Sequence, residues 1–159
     1  MQLPNNKKIY FTSDQHFGAP TPELSFPREQ KFVAWLDEVK GDAEAIFLLG
    51  DLFDFWFEYK TVVPKGFIRV LGKLAEIRDS GIPIYFFVGN HDLWMADYFQ
   101  KELNIPVFHD NQEYTFGDKT FLIGHGDGKG PGDLGYKRMK KIFTNPFFKW
   151  LFRWLHPDI

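Results

Sequence analysis

The sequence has no cysteine in its 159 residues, which excludes disulfide bonds, thiolate nucleophiles and zinc sites with cysteine ligands. It also has no apolar run near the roughly 18 residues that a membrane-spanning helix needs. The segment Met1–Lys8 is polar and lacks the apolar core of a secretory signal, so we expect no such signal. The formal net charge is only −2, which disfavours nucleic acid as a partner.

Aromatic residues, in contrast, are abundant: Phe, Trp and Tyr make up 19% of the chain. This is more aromatic surface than one core needs, which suggests an apolar ligand or an interface. The length favours one domain over residues 1–159, and no feature of the sequence indicates a required protein partner.

Four apolar stretches, each with the pattern of a buried strand, end in short turns that carry Asp, Asn or His. Parallel strands joined by helical crossovers recur at roughly 30 or more residues. The ligand-type residues of consecutive turns lie 35 to 39 positions apart, which fits that unit. Such strands place their carboxyl ends on one edge of a sheet, where ligands bind in open α/β folds. The four turns are Asp14–His16, Gly50–Asp54, Gly89–Asp92 and Gly124–Asp127.

The residue types in these turns predict a site for two divalent metal ions. A mixed set of oxygen and imidazole ligands suits Mn²⁺, Fe²⁺ or Zn²⁺, and one carboxylate can bridge two ions about 3.5–4 Å apart. A single Gly-Asp or Gly-His after a strand is ordinary turn chemistry, but four at this spacing favour the metal site. We assign Asp14 and His16 to one metal, Asp51 to the bridge, and Asn90 and His125 to the second metal. Two cations at that distance lower the pKa of a bridging water and screen a phosphate, which indicates a phosphate ester as the substrate.

Three further residues of the turns are candidates for supporting roles. His91 adjoins Asn90 and can donate a proton to a leaving or non-bridging oxygen of that phosphate. Asp54 and Asp92 are candidates to orient the histidines, with turn or cap residues as the alternative.

Between the turns, the apolar spacing predicts helices over Arg28–Lys40, Pro64–Ser80 and Asp92–Leu103, and Ala19–Pro27, with its prolines, is interpreted as a loop. The dipeptide Gly117-Asp118 predicts a hairpin between two strands.

Residues 134–159 differ from the rest of the chain in being rich in basic and aromatic residues, and we interpret them as a helical cap. A basic helix is expected from Leu134 to Phe143, and a second, with apolar residues on most of its circumference, follows up to Leu155. Such a helix must be buried, or face lipid or a partner. A pocket for acyl chains, the bilayer surface and plain core packing all remain open as explanations.

Taken together, the four turns resemble the signature of the calcineurin-like metallophosphoesterases. That resemblance implies an α/β fold of four layers, a sandwich of two mixed sheets flanked by helices, with a dinuclear centre at the strand ends. It implies that His91 is the catalytic histidine, and it implies the same five metal ligands as the residue types do.

A narrower resemblance is to the enzymes of lipid A synthesis that hydrolyse UDP-2,3-diacylglucosamine, carried by Gly50–Trp56, His125–Asp127 and Asp133–Tyr136. It implies Mn²⁺ as the cofactor, cleavage of the substrate diphosphate, and a cytoplasmic enzyme on the inner face of the inner membrane of a Gram-negative bacterium. Substrate contacts are implied for Trp56, Asn90, Asp133 and Tyr136, with core packing as the alternative for Trp56.

The chain departs from this group in two respects. Some members of the group carry arginine where His91 stands, so the chain approaches the broader phosphoesterase pattern. The later Gly-His-x-His turn of the family is missing, so we interpret the chain as an N-terminal portion that lacks its C-terminal part. A generic phosphodiesterase and a scaffold without activity therefore remain as alternative functions.

Overall fold

A computed structural model describes residues 4–127 and 134–156, in which six strands and five helices follow one another along the chain. The strands are β1 Lys8–Thr12, β2 Ala43–Leu49, β3 Ile84–Phe87, β4 Val107–Phe108, β5 Gln112–Phe116 and β6 Lys119–Ile123. The helices are α1 Pro22–Val39, α2 Ile68–Asp79, α3 Tyr98–Glu102, α4 Leu134–Thr144 and α5 Pro146–Phe152.

The first four strands form one parallel sheet in the order β1-β2-β3-β4. The predicted strand-helix-strand spacing is therefore confirmed, and the turns after β1, β2 and β3 leave the sheet at the same edge. Strand β2 lies between β1 and β3, which puts its turn, with Asp51, in the middle of the three.

Side chains alternate across β2 and give the sheet two apolar faces. Ile46 and Leu48 belong to the larger core, which includes the inward residues of α1 and α2. Ala45 and Phe47 belong to a smaller core under the β5–β6 hairpin, closed by Ile123. The predicted fold class, an α/β sandwich with two sheets and flanking helices, is confirmed. In the described residues, one sheet is wholly parallel and the other antiparallel, whereas the family resemblance implies two mixed sheets.

Two helix boundaries differ from the sequence prediction for local reasons. Helix α1 begins at Pro22, within the segment interpreted as a loop, because the Thr21 hydroxyl accepts a hydrogen bond from the Leu24 N–H and Pro22 occupies the first helical position. Helix α2 begins only at Ile68, since Gly66 and Phe67 before it have positive φ angles of 102° and 56°.

The predicted helix Asp92–Leu103 is wrong over its entire first half. Only Tyr98–Glu102 is helical, and the residues before it form an irregular segment. The carboxylate of Glu58 accepts hydrogen bonds from the backbone N–H groups of Ala96, Asp97 and Tyr98, which fixes the start of the helix there.

The hairpin and the two last helices follow the sequence prediction. Strands β5 and β6 pair in antiparallel register around Gly117-Asp118, and α5 begins after Asn145, whose side chain caps it. None of the helices in the described ranges is long and apolar enough to cross a membrane.

Candidate metal centre

The turns after β1 and β2 are held together by backbone hydrogen bonds. The N–H groups of Asp14 and His16 donate to the carbonyl oxygens of Gly50 and Asp51 at 3.1 and 2.9 Å. Asp14, His16 and Asp51 all adopt positive φ angles, of 57°, 45° and 53°. Residues with side chains rarely adopt this region, which costs roughly 1–2 kcal/mol per residue, and such strain is concentrated at functional sites.

Two glycines allow three of the turns to approach each other closely. Gly50 has φ of 89°, and a Cβ there would lie 2.6 Å from His125 Nδ1 and 2.8 Å from Gly89 Cα. A Cβ on Gly89 would lie 2.5 Å from the backbone nitrogen of Asp51 and collide with its carboxylate. The turns meet only because both positions lack a side chain.

Three of the predicted ligands form the first half of the centre. His16 Nε2 lies 3.8 Å from Asp14 Oδ1 and 3.7 Å from Asp51 Oδ2. One ligand atom from each of the three residues lies within 4.8 Å of the other two, which is close enough for a shared cation. Asp51 is the buried member, with 2% of its surface exposed.

The other two predicted ligands, His125 and Asn90, lie near the same carboxylate oxygen. Asp51 Oδ2 is 3.5 Å from His125 Nε2, and His125 Nε2 is 3.2 Å from Asn90 Oδ1. His125 Nδ1 lies 2.7 Å from the carbonyl oxygen of Leu49. A carbonyl only accepts hydrogen bonds, so Nδ1 carries a proton, and in the neutral imidazole Nε2 keeps a free lone pair.

The donor set fits divalent cations on chemical grounds. In the neutral tautomer, His125 Nε2 and Asn90 Oδ1 are two acceptors that face each other, an arrangement that a bound cation stabilises. Asp51 Oδ2 lies within 3.7 Å of His16 Nε2 and within 3.5 Å of His125 Nε2, so one carboxylate oxygen is near a predicted ligand of each metal. The five predicted ligands are thus brought together at one edge of the sheet.

Asp54 lies between two histidines beside this group. Its Oδ1 is 3.5 Å from His16 Nδ1 and 3.4 Å from His91 Nδ1, and these ligand atoms form a second cluster within 4.8 Å. His91 Nδ1 also lies 2.9 Å from the backbone oxygen of Asp54, and the two imidazole rings are perpendicular with centroids 4.6 Å apart. The backbone N–H of His91 donates to Asp51 Oδ1 at 2.9 Å.

Asp92 holds the backbone of the turns, which is the alternative that the sequence left open beside the orientation of a histidine. Its side chain is fully buried and accepts hydrogen bonds from the N–H groups of Gly89 at 2.5 Å and Leu52 at 3.1 Å. Burial, together with the nearby charge of Asp51, raises the pKa of Asp92 to about 7.

The prediction of Trp56 as a substrate contact is wrong, and the alternative of core packing is the observed one. Its side chain is fully buried, its ring stacks on Phe53 at 4.4 Å, and its indole N–H donates to Glu58 Oε1 at 3.0 Å. Asp133 lies outside the described residues, as does the side chain of Tyr136, so their predicted contacts stay predictions.

An apolar cavity of about 350 Å³ adjoins the centre and includes residues that the sequence analysis missed. It is lined by Asp54, Phe55, Asn90, His91, Leu93, Trp94 and Phe143. Phe143 brings helix α4 to its wall, where the indole N–H of Trp94 donates to the carbonyl oxygen of Phe143 at 2.6 Å. Helix α4 is also held by Lys140, which pairs with Asp127 at 2.7 Å. Aromatic abundance in 53–59 is a weak signal for such a wall, because it does not show which rings face inward.

Comparison with known proteins finds sequence relatives of this chain that are named UDP-2,3-diacylglucosamine hydrolase. The chain is 42% identical over 151 residues to a UDP-2,3-diacylglucosamine hydrolase of Porphyromonas gingivalis, covering 94% of this chain and 58% of that protein. It is 32% identical over 143 residues to the protein of the same name from Edwardsiella ictaluri, covering 90% of this chain and 53% of that one. The chain thus spans just over half the length of these relatives.

Two further comparisons concern the fold and the family. A crystal structure of a protein of unknown function from Aquifex aeolicus matches with a TM-score of 0.55 at 21% identity, covering 92% of this chain and 75% of that one, which supports the fold alone. The profile of the calcineurin-like phosphoesterases matches residues 7–157. The chain therefore belongs to the calcineurin-like phosphoesterase family.

Proposed function

We propose that this chain carries the dinuclear centre of a hydrolase that cleaves the diphosphate of UDP-2,3-diacylglucosamine, giving UMP and 2,3-diacylglucosamine 1-phosphate. The observation that carries the proposal is the 42% identity to a UDP-2,3-diacylglucosamine hydrolase over residues that include all four turns. The convergence of the predicted ligands around Asp51 supports it.

In this proposal, Asp14, His16 and Asp51 hold one divalent cation, and Asp51, Asn90 and His125 hold the other. Carboxylate, amide and imidazole ligands together suit a first-row divalent metal, and among these metals Mn²⁺ is proposed because the resemblance to the enzymes that hydrolyse UDP-2,3-diacylglucosamine implies it. When bound, such ions supply Lewis acidity that activates water and offsets the charge developing on the phosphate.

The protein's own groups prepare the rest of the reaction. Water adds to the α-phosphorus of the substrate, and the bond from that phosphorus to the bridging oxygen breaks. His91 Nδ1 is fixed by the backbone oxygen and the carboxylate of Asp54, which leaves Nε2 to exchange a proton with the phosphate oxygens. The carboxylate of Asp54 also lies next to Nδ1 of His16, which leaves Nε2 of that ring, on the side of Asp51, to bind the proposed metal.

The cap, residues 134–159, is proposed to serve the acyl chains and the membrane surface. Both helices expose large apolar side chains: Ile142 of α4 is 52% exposed, and Phe147 and Trp150 of α5 are 61% and 54% exposed. Trp154, just after α5, is 74% exposed. An apolar cavity of about 480 Å³ is lined by residues of both helices, including Phe143 and Phe152, together with Trp94. An exposed aromatic face beside basic residues suits peripheral contact with the cytoplasmic face of an inner membrane.

Hydrolysis of two substrates tests the proposal. With Mn²⁺, we expect kcat/KM for UDP-2,3-diacylglucosamine to exceed that for bis-p-nitrophenyl phosphate by orders of magnitude, because only the first offers acyl chains to the cap. Equal values would favour a generic phosphodiesterase. Metal analysis of the purified chain supplies the second arm, since a chain that binds neither Mn²⁺ nor Zn²⁺ would be a scaffold.

A further inference from the structure

Glu58 is a buried carboxylate that has no place among the predicted site residues. Only 6% of its surface is exposed. Its Oε1 accepts hydrogen bonds from the indole N–H of Trp56 at 3.0 Å and the backbone N–H of Ala96 at 2.9 Å. Its Oε2 accepts from the backbone N–H groups of Asp97 at 2.8 Å and Tyr98 at 3.0 Å.

These contacts require an ionised carboxylate. An ionised carboxylate only accepts, and its two oxygens offer about four lone-pair sites, all of which are occupied here by N–H donors. A glutamine of the same shape would turn an NH₂ group toward two of those donors. The backbone donors are the free N–H groups at the start of α3, a helix whose own preceding residue, Asp97, makes no side-chain cap.

The contact joins the two loops that carry the groups at the phosphate. Glu58 follows Asp54 by four residues in the loop after β2, and Ala96 follows His91 by five residues in the loop after β3. The same two loops also meet in a bridge between Phe57 and Trp94, whose rings lie 5.2 Å apart. Bonds from a charged acceptor are directional and stronger than neutral ones, so Glu58 sets the register of this apolar contact.

We propose that Glu58 is a positioning residue: by fastening one loop to the other, it fixes His91 against Asp54. The proposal rests on the proposed function only in that His91 and Asp54 act on the phosphate. Glu58 itself touches neither of them and acts through the two loops. It also explains why residues 92–97 are held in an irregular conformation and do not extend α3.

The first test measures the contact and does not depend on catalysis. The variant is Glu58→Gln, and the control is Glu102→Gln, the same chemical change at an exposed position of α3. In Glu58→Gln we expect amide hydrogen exchange at Ala96, Asp97 and Tyr98 to accelerate about tenfold or more, with the control unchanged. Unchanged exchange in Glu58→Gln would overturn the proposal.

The second test separates positioning from general damage to the fold. In the Mn²⁺-loaded chain, Glu58→Gln should lower kcat for bis-p-nitrophenyl phosphate about tenfold, with KM within about twofold. A residue that acts through His91 has nothing to position once that ring is gone, so Glu58→Gln should cost nothing more in a His91→Ala background. An equal loss in both backgrounds would show a merely structural role and overturn the proposal.

A spectroscopic measurement decides the inference even if the chain has no turnover, a result that would defeat the proposed function alone. Long-range ¹H–¹⁵N correlation spectra report which ring nitrogen of a histidine carries the proton. The contact between His91 Nδ1 and the carbonyl oxygen of Asp54 requires the Nδ1–H form in the unsubstituted chain. We expect a mixture of tautomers in Glu58→Gln, and the same single form in both proteins would overturn the positioning role.

Discussion

The turns that carry the candidate ligands and the helices α4 and α5 are neighbours that are held by different kinds of contact. The turns are joined by backbone hydrogen bonds, by glycines that permit close approach and by the buried carboxylates of Asp51 and Asp92. The two helices are attached through side chains: Phe152 lies 4.5 Å from Trp94 between ring centroids, and Lys140 pairs with Asp127.

This difference fits the proposed roles: the turns must hold metal ligands rigidly, whereas α5 must adapt to flexible lipid chains. A ligand set for two small cations tolerates displacements of only a fraction of an ångström, and backbone contacts give that accuracy. Acyl chains and membranes are soft partners, and an exposed aromatic surface such as that of α5 can contact them without fixed geometry. Substitutions in the turns should therefore act sharply on metal and chemistry, and substitutions in α5 weakly and on lipid contact alone.

The largest effect is expected from Asp51→Asn. Asparagine tolerates the positive φ of 53° and still offers an oxygen to the N–H of His91, so the chain should stay folded. Loss of the bridging charge should reduce metal affinity by more than the roughly 10–100-fold that outer contacts contribute. Metal content and turnover measure this, and a variant that keeps two ions per chain would contradict the bridging role.

The next effect is expected from His91→Ala, which removes a ring without removing a proposed metal ligand. Turnover should fall about 10²–10⁴-fold, the usual contribution of a general acid or base, while the number of bound ions stays the same. Parallel metal analysis and kinetics distinguish the two effects. Full turnover in this variant would refute a catalytic role for His91.

A glycine pair tests whether close approach of the backbone sets the turns. In Gly89→Ala, the new Cβ meets the carboxylate and the backbone nitrogen of Asp51, so we expect a loss of about 1–3 kcal/mol of unfolding free energy and weaker metal binding. In Gly72→Ala, on the exposed side of α2, the Cβ meets no heavy atom within 4 Å, and we expect a gain of about 0.5–1 kcal/mol. Denaturant unfolding measures the change in unfolding free energy of both variants. Equal changes would show that the turn at Gly89 can accommodate a Cβ atom.

The sequence predicts the turns that carry the candidate ligands well, because the pattern that identifies them is local. An apolar strand followed by a polar turn is visible in a few residues, and the regular spacing of the turns implies a common edge. The positions of Asp14, Asp51, Asn90 and His125 could therefore be inferred before any coordinates, as could the hairpin at Gly117-Asp118.

What the sequence does not predict depends on contacts between distant residues. Glu58 is a single acidic residue in an aromatic segment, and only the fold shows that its partners start at Ala96. Trp56 belongs to the same segment, and its burial depends on which side of the loop faces the core. The early start of α1 had a usable signal, since Thr21 followed by Pro22 is a common way to begin a helix.

The smallest effect is expected from substitutions of the exposed aromatic residues in and just after α5. Trp150→Ser combined with Trp154→Ser removes two exposed rings from the α5 end, while Leu24→Ser with Ile68→Ser makes a matched change at sites 66% and 72% exposed on α1 and α2. If the α5 face contacts the membrane, binding to anionic phospholipid vesicles should weaken about tenfold in the first variant and stay unchanged in the second. Metal content should be equal in both, because neither pair touches the turns. Equal vesicle binding in the two variants would remove the membrane from the proposed role of α5 and leave contact with the acyl chains of the substrate as its only proposed role.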